Sequence, residues 1–376
     1  MKICIDISQI VYGTGVSNYT NDLVENLLKI DHNNQYKLFG YSLRLNNNLR
    51  EYKKKFLGYE NVEFRIIHIP ISAMTILWNR LHIVPIEKFV GEFDLLHSSD
   101  WIQPPVRSSK AKKITTVHDM AVYLFSSFFP SKILENQKRR MNFVINEVDR
   151  IISVSQSTKD DIEKFLKVPT KKINVISLAS SPIFKPQDEE KINVVLNKFK
   201  IKKPFILSVA TQEPRKNIQI LLDVFEQIVK KRANVSLVLS GKYGWGPGLR
   251  SSENVIWTDY VSKEDLVVLY SSCRVFVYPS LYEGFGLPIL EAMACGAPVI
   301  TSNNSSMVEI AKEAAILIDP RSEGQLTKAI DMVLDLNLDN YQKMVKASLE
   351  RARQYSWAKT ARETLKVYEE VAGTSD

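Results

Sequence analysis

The stretch Glu283-Gly284-Phe285-Gly286-Leu287-Pro288-Ile289-Leu290-Glu291 decides the fold prediction for this chain of 376 residues. It follows an apolar run, residues 274–279, that is typical of a buried strand, and Pro288 suits the first turn of a helix. Glycine at such a turn lets backbone amides approach a ligand, and the helix N-terminus favours negative charge. The segment therefore predicts a phosphate site, with Glu283 and Glu291 beside it to bind the hydroxyl groups of a nucleotide sugar. An ordinary strand-to-helix connection is the alternative.

Strands and helices alternate on both sides of this segment. The predicted strands are Lys2–Ile7, Tyr36–Gly40, Glu63–His68, Leu95–Ser98, Ala111–Val117, Arg150–Val154, Ile173–Ile176, Phe205–Ala210, Val235–Gly241, Val255–Trp257, Val275–Tyr278, Pro298–Thr301 and Ala315–Leu317. The predicted helices include Val16–Ile30, Ser131–Glu147, Ser157–Leu166, Ile218–Lys231, Lys263–Ser272, Leu287–Cys295 and Glu323–Leu334. Such alternation is typical of the α/β class, with parallel sheets covered by helices, and the chain is too long for one ordinary core. We therefore expect two Rossmann-like domains.

The boundary between these domains is predicted in the proline-containing segment 181–188, because prolines followed by charged residues are typical of a surface linker. The N-terminal domain then covers residues 1–185 and the C-terminal domain residues 186–354. Apolar residues at helical spacing predict a last helix, Tyr355–Val371. Local packing alone would place that helix on the C-terminal domain.

Positive charge is concentrated in the first half of the chain. Residues 1–185 contain 26 Lys+Arg against 18 Asp+Glu, whereas residues 186–376 contain 24 of each, so the net charge of +8 lies in the first half. This excess predicts attraction to an anionic membrane surface or a phosphorylated acceptor, with a plain solvated surface as the alternative. No recognised nucleic-acid-binding module is present, so we expect no nucleic acid partner.

The composition and the N-terminus favour a cytoplasmic protein. Hydrophobic residues make up 45% and charged residues 24% of the chain, as in ordinary globular proteins. Asp6 interrupts the first apolar run, which argues against a signal peptide, and no apolar stretch is long enough to cross a bilayer. Contact with the inner membrane face would then be peripheral.

Taken together, these features resemble the GT4 family of retaining glycosyltransferases, which have the GT-B fold of two facing Rossmann-like domains and an interdomain cleft. The resemblance covers nearly the whole chain, and its most specific motif is the pair Glu283 and Glu291 within Glu-Gly-Phe-Gly-Leu-Pro, followed by Ala292–Ile300. It implies that the last helix, residues 355–376, returns to the N-terminal acceptor domain. The C-terminal domain would bind the nucleotide-sugar donor, and closure of the cleft would exclude water.

The resemblance also implies roles for residues of the donor domain. Thr211–Asn217 is similar to the phosphate-binding loop of the family, in which Lys216 and Arg215 would contact the diphosphate. Many members carry an arginine where this chain has Thr211, so Arg215 is a candidate for its role. Tyr260 and Val261 would meet the nucleobase through backbone groups. Backbone amides of Gly284, Phe285, Gly286 and Leu287 would bind the diphosphate, while Glu291 would bind the ribose and Glu283 the transferred sugar.

Two further resemblances lie in the first domain. His118 closes a predicted strand and is similar to the family histidine that touches the transferred sugar, although a lone histidine is more often structural. Gly13 and Gly15 follow the first strand and resemble a glycine loop that approaches the donor diphosphate. Because Asn18 stands where a dinucleotide fingerprint needs glycine, a nicotinamide dehydrogenase is disfavoured. A simple turn remains the alternative for this loop.

The implied reaction transfers a hexose with retention of configuration, without a cofactor. We expect it to be independent of metal ions, because cations would neutralise the leaving diphosphate and no Asp-x-Asp lies near a strand end. The segment His118–Pro130, with the Glu-Pro-Arg-Lys-Asn loop, most resembles bacterial mannosyltransferases of O-antigen or capsule assembly. This implies GDP-mannose as donor and a glycan or lipid-linked oligosaccharide as acceptor.

Several alternatives remain open from the sequence. UDP-glucose, UDP-galactose or UDP-N-acetylglucosamine are alternative donors within the same family. A non-hydrolysing UDP-sugar 2-epimerase shares two Rossmann-like domains but lacks the Glu-Gly-Phe-Gly-Leu-Pro helix opening. A nucleotide-sugar-binding subunit without catalysis is the third alternative, although Glu283, Lys216 and His118 are all present.

Overall fold

Thirteen strands form two parallel sheets in the part of the chain that this computed structural model describes, residues 1–98, 101–244, 248–249 and 254–373. The strands are β1 (Lys2–Asp6), β2 (Gln35–Tyr41), β3 (Val62–Ile67), β4 (Leu95–Ser98), β5 (Lys112–Val117), β6 (Arg150–Ser153), β7 (Ile173–Val175), β8 (Phe205–Val209), β9 (Ser236–Ser240), β10 (Val255–Asp259), β11 (Val275–Tyr278), β12 (Val299–Ser302) and β13 (Ile316–Ile318). Each strand lies within two residues of a predicted one. The predicted α/β fold class is confirmed.

The helices cover the faces of these sheets. They are α1 (Gly15–Ile30), α2 (Asn46–Lys54), α3 (Ile71–Met74), α4 (Glu87–Val90), α5 (Ala121–Leu124), α6 (Ser131–Glu147), α7 (Gln156–Leu166), α8 (Glu189–Lys198), α9 (Ile218–Lys231), α10 (Lys263–Ser272), α11 (Leu287–Ala294), α12 (Ser305–Ala311), α13 (Glu323–Leu334), α14 (Leu338–Ala352) and α15 (Trp357–Gly373). No helix in these described ranges is both long enough and apolar enough to cross a membrane.

The two sheets share the order of six strands, and the first sheet has a seventh, β7, at its edge. The first is β3-β2-β1-β4-β5-β6-β7 and the second is β10-β9-β8-β11-β12-β13. In each sheet the order reverses beside its first strand, between β1 and β4 and between β8 and β11. Open α/β sheets bind ligands outside the carboxyl ends of the strands at such a reversal. The topology therefore marks the loops that follow β8 and β11, and those that follow β1 and β4.

The chain divides into two compact units. The first unit contains Met1–Leu178 and Trp357–Asp376, and the second contains Ala179–Ser356. The predicted boundary between residues 185 and 186 lies inside the second unit, because Phe184 is buried there and packs edge-on against Tyr270 at 6.0 Å. The proline-containing segment 181–188 thus belongs to the second unit, which begins at Ala179.

Helix α15 packs on the first unit. The hydroxyl of Tyr368 lies 2.6 Å from Nδ1 of His97 in β4, and Thr360 Oγ1 donates a hydrogen bond to the backbone oxygen of Ser177 at 2.8 Å. Trp357 and Ala361 are buried on the same face, as their helical spacing predicts. The helix therefore covers polar as well as apolar groups of the first sheet.

Candidate active site

The loop after β8 and the segment after β11 meet at the reversal of strand order in the second sheet. Arg215 and Lys216 lie in a 3-10 turn, Pro214–Lys216, which ends at Asn217 in a left-handed conformation with φ 57°. The amide of Leu281 donates to the backbone oxygen of Arg215 at 2.8 Å, and Asn217 Nδ2 donates to the backbone oxygen of Pro279 at 3.1 Å. These bonds fix the two loops to each other, so the side chains they carry converge.

A cluster of two cations and two carboxylates occupies this junction, formed by Glu213, Arg215, Lys216 and Glu283. Lys216 Nζ donates to Glu283 Oε1 at 2.7 Å, and Arg215 Nη1 donates to Glu283 Oε2 at 3.0 Å. Arg215 Nη2 donates to Glu213 Oε1 at 2.6 Å. Lys216 also donates to the hydroxyl of Tyr278 at 2.9 Å, at the end of β11. The four charged side chains are between 7% and 12% exposed, so their charges act on each other with little screening by water.

Both basic residues change the titration of Glu283. Burial opposes ionisation of its carboxyl, but the charges of Arg215 and Lys216 outweigh burial and lower the pKa to about 2. Burial and the neighbouring Arg215 lower the pKa of Lys216, although Glu283 and Glu213 oppose that effect. The two partners of this pair respond differently because Glu283 faces two cations, whereas Lys216 is also repelled by one. Glu283 is therefore a carboxylate at neutral pH.

The backbone around Glu283 is held by α12. The amide of Glu283 donates to Ser305 Oγ at 3.1 Å, and Ser306 Oγ donates to the backbone oxygens of Glu283 and Phe285 at 2.8 Å each. Gly286 has φ 98°, which side chains rarely adopt, and it precedes the first residue of α11, Leu287. The segment Gly284–Leu287 thus leads into a helix N-terminus whose cap residue has no side chain to bond the first amides.

Glu291 lies one turn along α11, on the helix that the motif opens. It is half-buried, and its Oε2 accepts a hydrogen bond from the hydroxyl of Tyr270 at 3.3 Å. The structure thus places the two carboxylates of the motif in different surroundings. Glu283 is neutralised by cations, whereas Glu291 has a neutral phenol as its hydrogen-bond partner.

Of the remaining predicted residues of the second unit, two are exposed and one is buried. Thr211 is exposed just beyond β8, and Tyr260 is 60% exposed just beyond β10. The ammonium of Lys242 lies 4.7 Å from the centre of the Tyr260 ring, while Val261 is buried. Tyr260 therefore presents an aromatic face, with a cation over it, at the edge of the sheet where β9 and β10 end.

His118 belongs to the first unit, directly after β5. Its ring meets that of Tyr19 edge to face at 4.6 Å, and the hydroxyl of Tyr19 lies 2.8 Å from Thr116 Oγ1. Arg140, which is fully buried in α6, donates to Thr115 Oγ1 at 2.7 Å. Burial and the charge of Arg140 lower the pKa of His118 to about 3, so its imidazole is neutral at pH 7.

Gly13 and Gly15 also lie in the first unit, between β1 and α1. Gly13 has φ 61°, and added Cβ atoms at either glycine would meet no other atom within 4 Å. Thr14 between them caps α1, with its amide donating to Ser17 Oγ at 3.1 Å and its hydroxyl accepting from the amide of Ser17. The loop is therefore an open, capped turn at the carboxyl end of β1.

The structure thus brings together Arg215, Lys216 and Glu283, and adds two partners that sequence reasoning did not assign. Glu213 and Tyr278 complete the cluster, and both had a signal in the sequence. Glu213 directly precedes the Pro-Arg-Lys turn, and Tyr278 ends a predicted strand, where polar groups reach a ligand-binding edge.

Comparison with known proteins assigns both halves of the chain. A family model described as Glycosyltransferase Family 4 matches residues 13–179, and one described as Glycosyl transferases group 1 matches residues 189–351. O-antigen chain mannosyltransferase B of Escherichia coli is 28% identical over 98% of this chain and 99% of its own length.

Solved structures agree on the fold. Sucrose-phosphate synthase of Thermosynechococcus elongatus superposes with a TM-score of 0.74 at 19% identity, covering 100% of both chains. Anabaena HepE in complex with UDP-glucose gives a TM-score of 0.72 at 16% identity, covering 98% of this chain and 100% of its own. The two family models follow one another along nearly the whole chain, and the chain belongs to the GT4 family of retaining glycosyltransferases with the GT-B fold.

Proposed function

We propose that this glycosyltransferase moves mannose from GDP-mannose to a glycan or lipid-linked acceptor in cell-surface polysaccharide synthesis. The buried cluster of Arg215, Lys216 and Glu283 beside the N-terminus of α11 carries the proposal, because it offers cations and a hydroxyl-binding carboxylate in one place. The choice of mannose rests on similarity to a mannosyltransferase over nearly the full length of both chains. The acceptor would be met at an anionic membrane surface.

The cluster suits stabilisation of a leaving diphosphate. Cleavage of the donor places negative charge on the diphosphate, which Lys216, Arg215 and the amides at the start of α11 would stabilise. Both cations pair with Glu283 in the structure, so donor binding would exchange a carboxylate for phosphate oxygens. Glu283 would then bind hydroxyl groups of the sugar. This chemistry holds the charge without an added cofactor.

A donor screen tests the sugar and the base. Purified protein is incubated with GDP-mannose, UDP-glucose, UDP-galactose or UDP-N-acetylglucosamine, with and without membrane extract, and release of the nucleoside diphosphate is measured. Release of GDP from GDP-mannose alone, increased by extract, is the expected result. Release from a UDP-sugar alone would overturn the mannosyl assignment in favour of the second candidate, a UDP-sugar-dependent transferase. The structural similarity to HepE with UDP-glucose is the observation that supports this candidate.

Changing Glu291 to glutamine should weaken binding of the nucleoside diphosphate about tenfold. The reason is that the proposed ribose hydroxyls lose a charged acceptor, whose hydrogen bonds contribute about 1.5–3 kcal/mol against about 1 kcal/mol for neutral ones. The amide can still accept from Tyr270, so the fold should be retained. Isothermal titration of both proteins measures the change. Equal affinities would contradict the ribose role.

Turnover should be unchanged when divalent metal ions are removed with EDTA. The proposed cations Arg215 and Lys216 would neutralise the diphosphate directly, so no metal ion would be needed at that position. Rates are compared in EDTA, in magnesium and in manganese. A loss of activity in EDTA that magnesium restores would contradict this prediction.

A further inference from the structure

We infer that a pocket in the first unit binds a lipid carrying a phosphate or diphosphate head, the acceptor-bearing lipid of the proposed reaction. The pocket has a volume of about 430 Å³, within the range of about 300–1,000 Å³ typical of ligand sites. Its walls are the segment 71–80, helix α6 and Trp101. Only the identification of this lipid as the acceptor rests on the proposed function, because binding of the lipid itself requires no donor.

The walls of this pocket are apolar and partly exposed. Ile71, Ile76, Trp101 and Ile133 line it, and Ile76 and Trp101 are 48% and 38% exposed. Apolar side chains left open in one concave place mark a binding surface more strongly than isolated ones do. A hydrocarbon chain would cover them, with a gain of about 25 cal/mol for each Å² removed from water.

Cations surround the apolar walls. Arg80, Lys132 and Arg139 also line the pocket, and Glu135, the one carboxylate among the residues that line it, pairs with Arg139 at 3.1 Å. Within the described residues, the side chain of neither Arg80 nor Lys132 has a hydrogen-bond or ion-pair partner. Two unpaired cations beside an apolar cavity complement an amphipathic anion, and a phosphate head accepts strong hydrogen bonds from both.

The side chains of Thr75, Asn79 and Asn136 at the walls are already engaged in hydrogen bonds. Asn136 Oδ1 accepts from Asn79 Nδ2 at 3.0 Å, and both side-chain amides donate to the backbone oxygen of Trp101. Thr75 Oγ1 donates to the backbone oxygen of Ile71 at 2.9 Å. A peptide would need backbone partners that these groups do not offer, whereas a lipid chain needs none. The concavity also suits one chain better than a flat bilayer surface.

The pocket lies at the same edge of the first sheet as His118. Trp101 follows the carboxyl end of β4, and His118 follows that of β5, its parallel neighbour. Helix α6 joins the two places, because Lys132 and Arg139 line the pocket while Arg140 bonds the end of β5. A lipid in the pocket would therefore hold its head group near the residue proposed to touch the transferred sugar.

The segment 75–84, of which Thr75, Ile76 and Arg80 line the pocket, has an unusual backbone that is held in place. Thr75–Arg80 forms a π-helical turn, and Val84 has φ 62°, a strained value for a β-branched residue. Trp78 Nε1 donates to the backbone oxygen of Val84 at 2.8 Å, and His82 pairs with Glu147 of α6 at 2.7 Å. Such conformations persist where the surrounding structure enforces them, often at functional sites.

Titration of farnesyl diphosphate into the full chain in magnesium-free buffer tests the inference. The Lys216→Ala variant is used, so that the proposed donor loop does not take up the diphosphate. We expect binding of one molecule per chain, weakened about tenfold by Arg80→Ala or Lys132→Ala and lost in Ile133→Asp. Lys138→Ala, which removes a charge from α6 outside the pocket, should bind normally. Arg80 is exposed, so its variant reports on binding even if Ile133→Asp does not fold.

Three results would overturn the inference. They are unchanged affinity in Arg80→Ala and Lys132→Ala, equal affinity for inorganic diphosphate, and binding to anionic vesicles without binding of farnesyl diphosphate. The last would identify a bilayer surface as the partner. This titration involves no donor and no turnover. The donor screen can therefore contradict the proposed function while lipid binding is observed, and lipid binding can be absent while the donor screen supports the proposed function.

Discussion

Replacement of Lys216 by alanine should lower turnover by about a hundred- to a thousandfold while the protein stays folded. Lys216 supplies the buried ammonium of the proposed diphosphate site, 2.7 Å from Glu283 and 2.9 Å from the hydroxyl of Tyr278. The fold should remain because Arg215 still pairs with Glu283 at 3.0 Å. Initial rates with the identified donor and thermal unfolding of both proteins measure the two effects.

Lys230→Ala is the matched control. Lys230 lies on the exposed face of α9, where it pairs with Glu226 at 3.6 Å. Its replacement removes one positive charge that is exposed and does not belong to the cluster. The control should keep full turnover. A folded Lys216→Ala protein with the turnover of this control would refute the assignment of Lys216 to the diphosphate.

Changing Glu283 to glutamine should lower turnover about a hundredfold without weakening the binding of nucleoside diphosphate. The proposed contact of Glu283 is with the sugar, which a nucleoside diphosphate lacks. In addition, loss of the carboxylate releases Arg215 and Lys216 for phosphate oxygens. This outcome is opposite to that expected for Glu291→Gln, so the pair of variants separates the two carboxylates of the motif. Weaker nucleoside diphosphate binding in Glu283→Gln would contradict the assignment.

The same variant should be less stable, by about 3–5 kcal/mol at pH 7, because two buried cations lose a partner. The lowered pKa of Glu283, about 2, means that its ion pairs stabilise the fold above the unfolded pKa near 4.3 and are lost as pH falls toward 2. The stability difference between the two proteins should therefore shrink on acidification. Unfolding at pH 7 and pH 3 measures it, with the exposed Glu226→Gln as control. A difference independent of pH would contradict the ion-pair account.

The strands and most of the longer helices could be predicted from the sequence, because their apolar periodicity reflects burial on one face. Helices α2, α3, α4, α5, α8, α12 and α14 are additional to the predicted ones. Helix α14 carries an apolar stripe, because Tyr341, Met344, Val345 and Leu349 are half-buried at helical spacing, so a signal for it was present in the sequence. Tertiary contacts such as the bond from Arg351 Nε to the backbone oxygen of Ile310 at 2.7 Å also hold this helix.

The sequence predicted which residues form the candidate site better than it predicted which of them contact each other. Glycine, lysine and glutamate near strand ends indicated Lys216, Arg215 and Glu283, but spacing along the chain does not show which loops touch. Only the strand order places the end of β8 beside that of β11. The pocket around Trp101 was not predicted at all, because its walls come from three separate segments and its cations resemble ordinary surface charge.

The return of α15 to the first unit has a consequence for synthesis. A ribosome makes Met1–Leu178 first, then the whole second unit, and only afterwards the helix that carries Tyr368. Until then His97 lacks its phenol partner, and the surface that Trp357 covers is open to water or to a chaperone. The unit that is translated first thus receives its last helix only after the second unit has been made. A premature stop codon after Ser356 would therefore remove a helix from the unit that the N-terminal half of the chain forms.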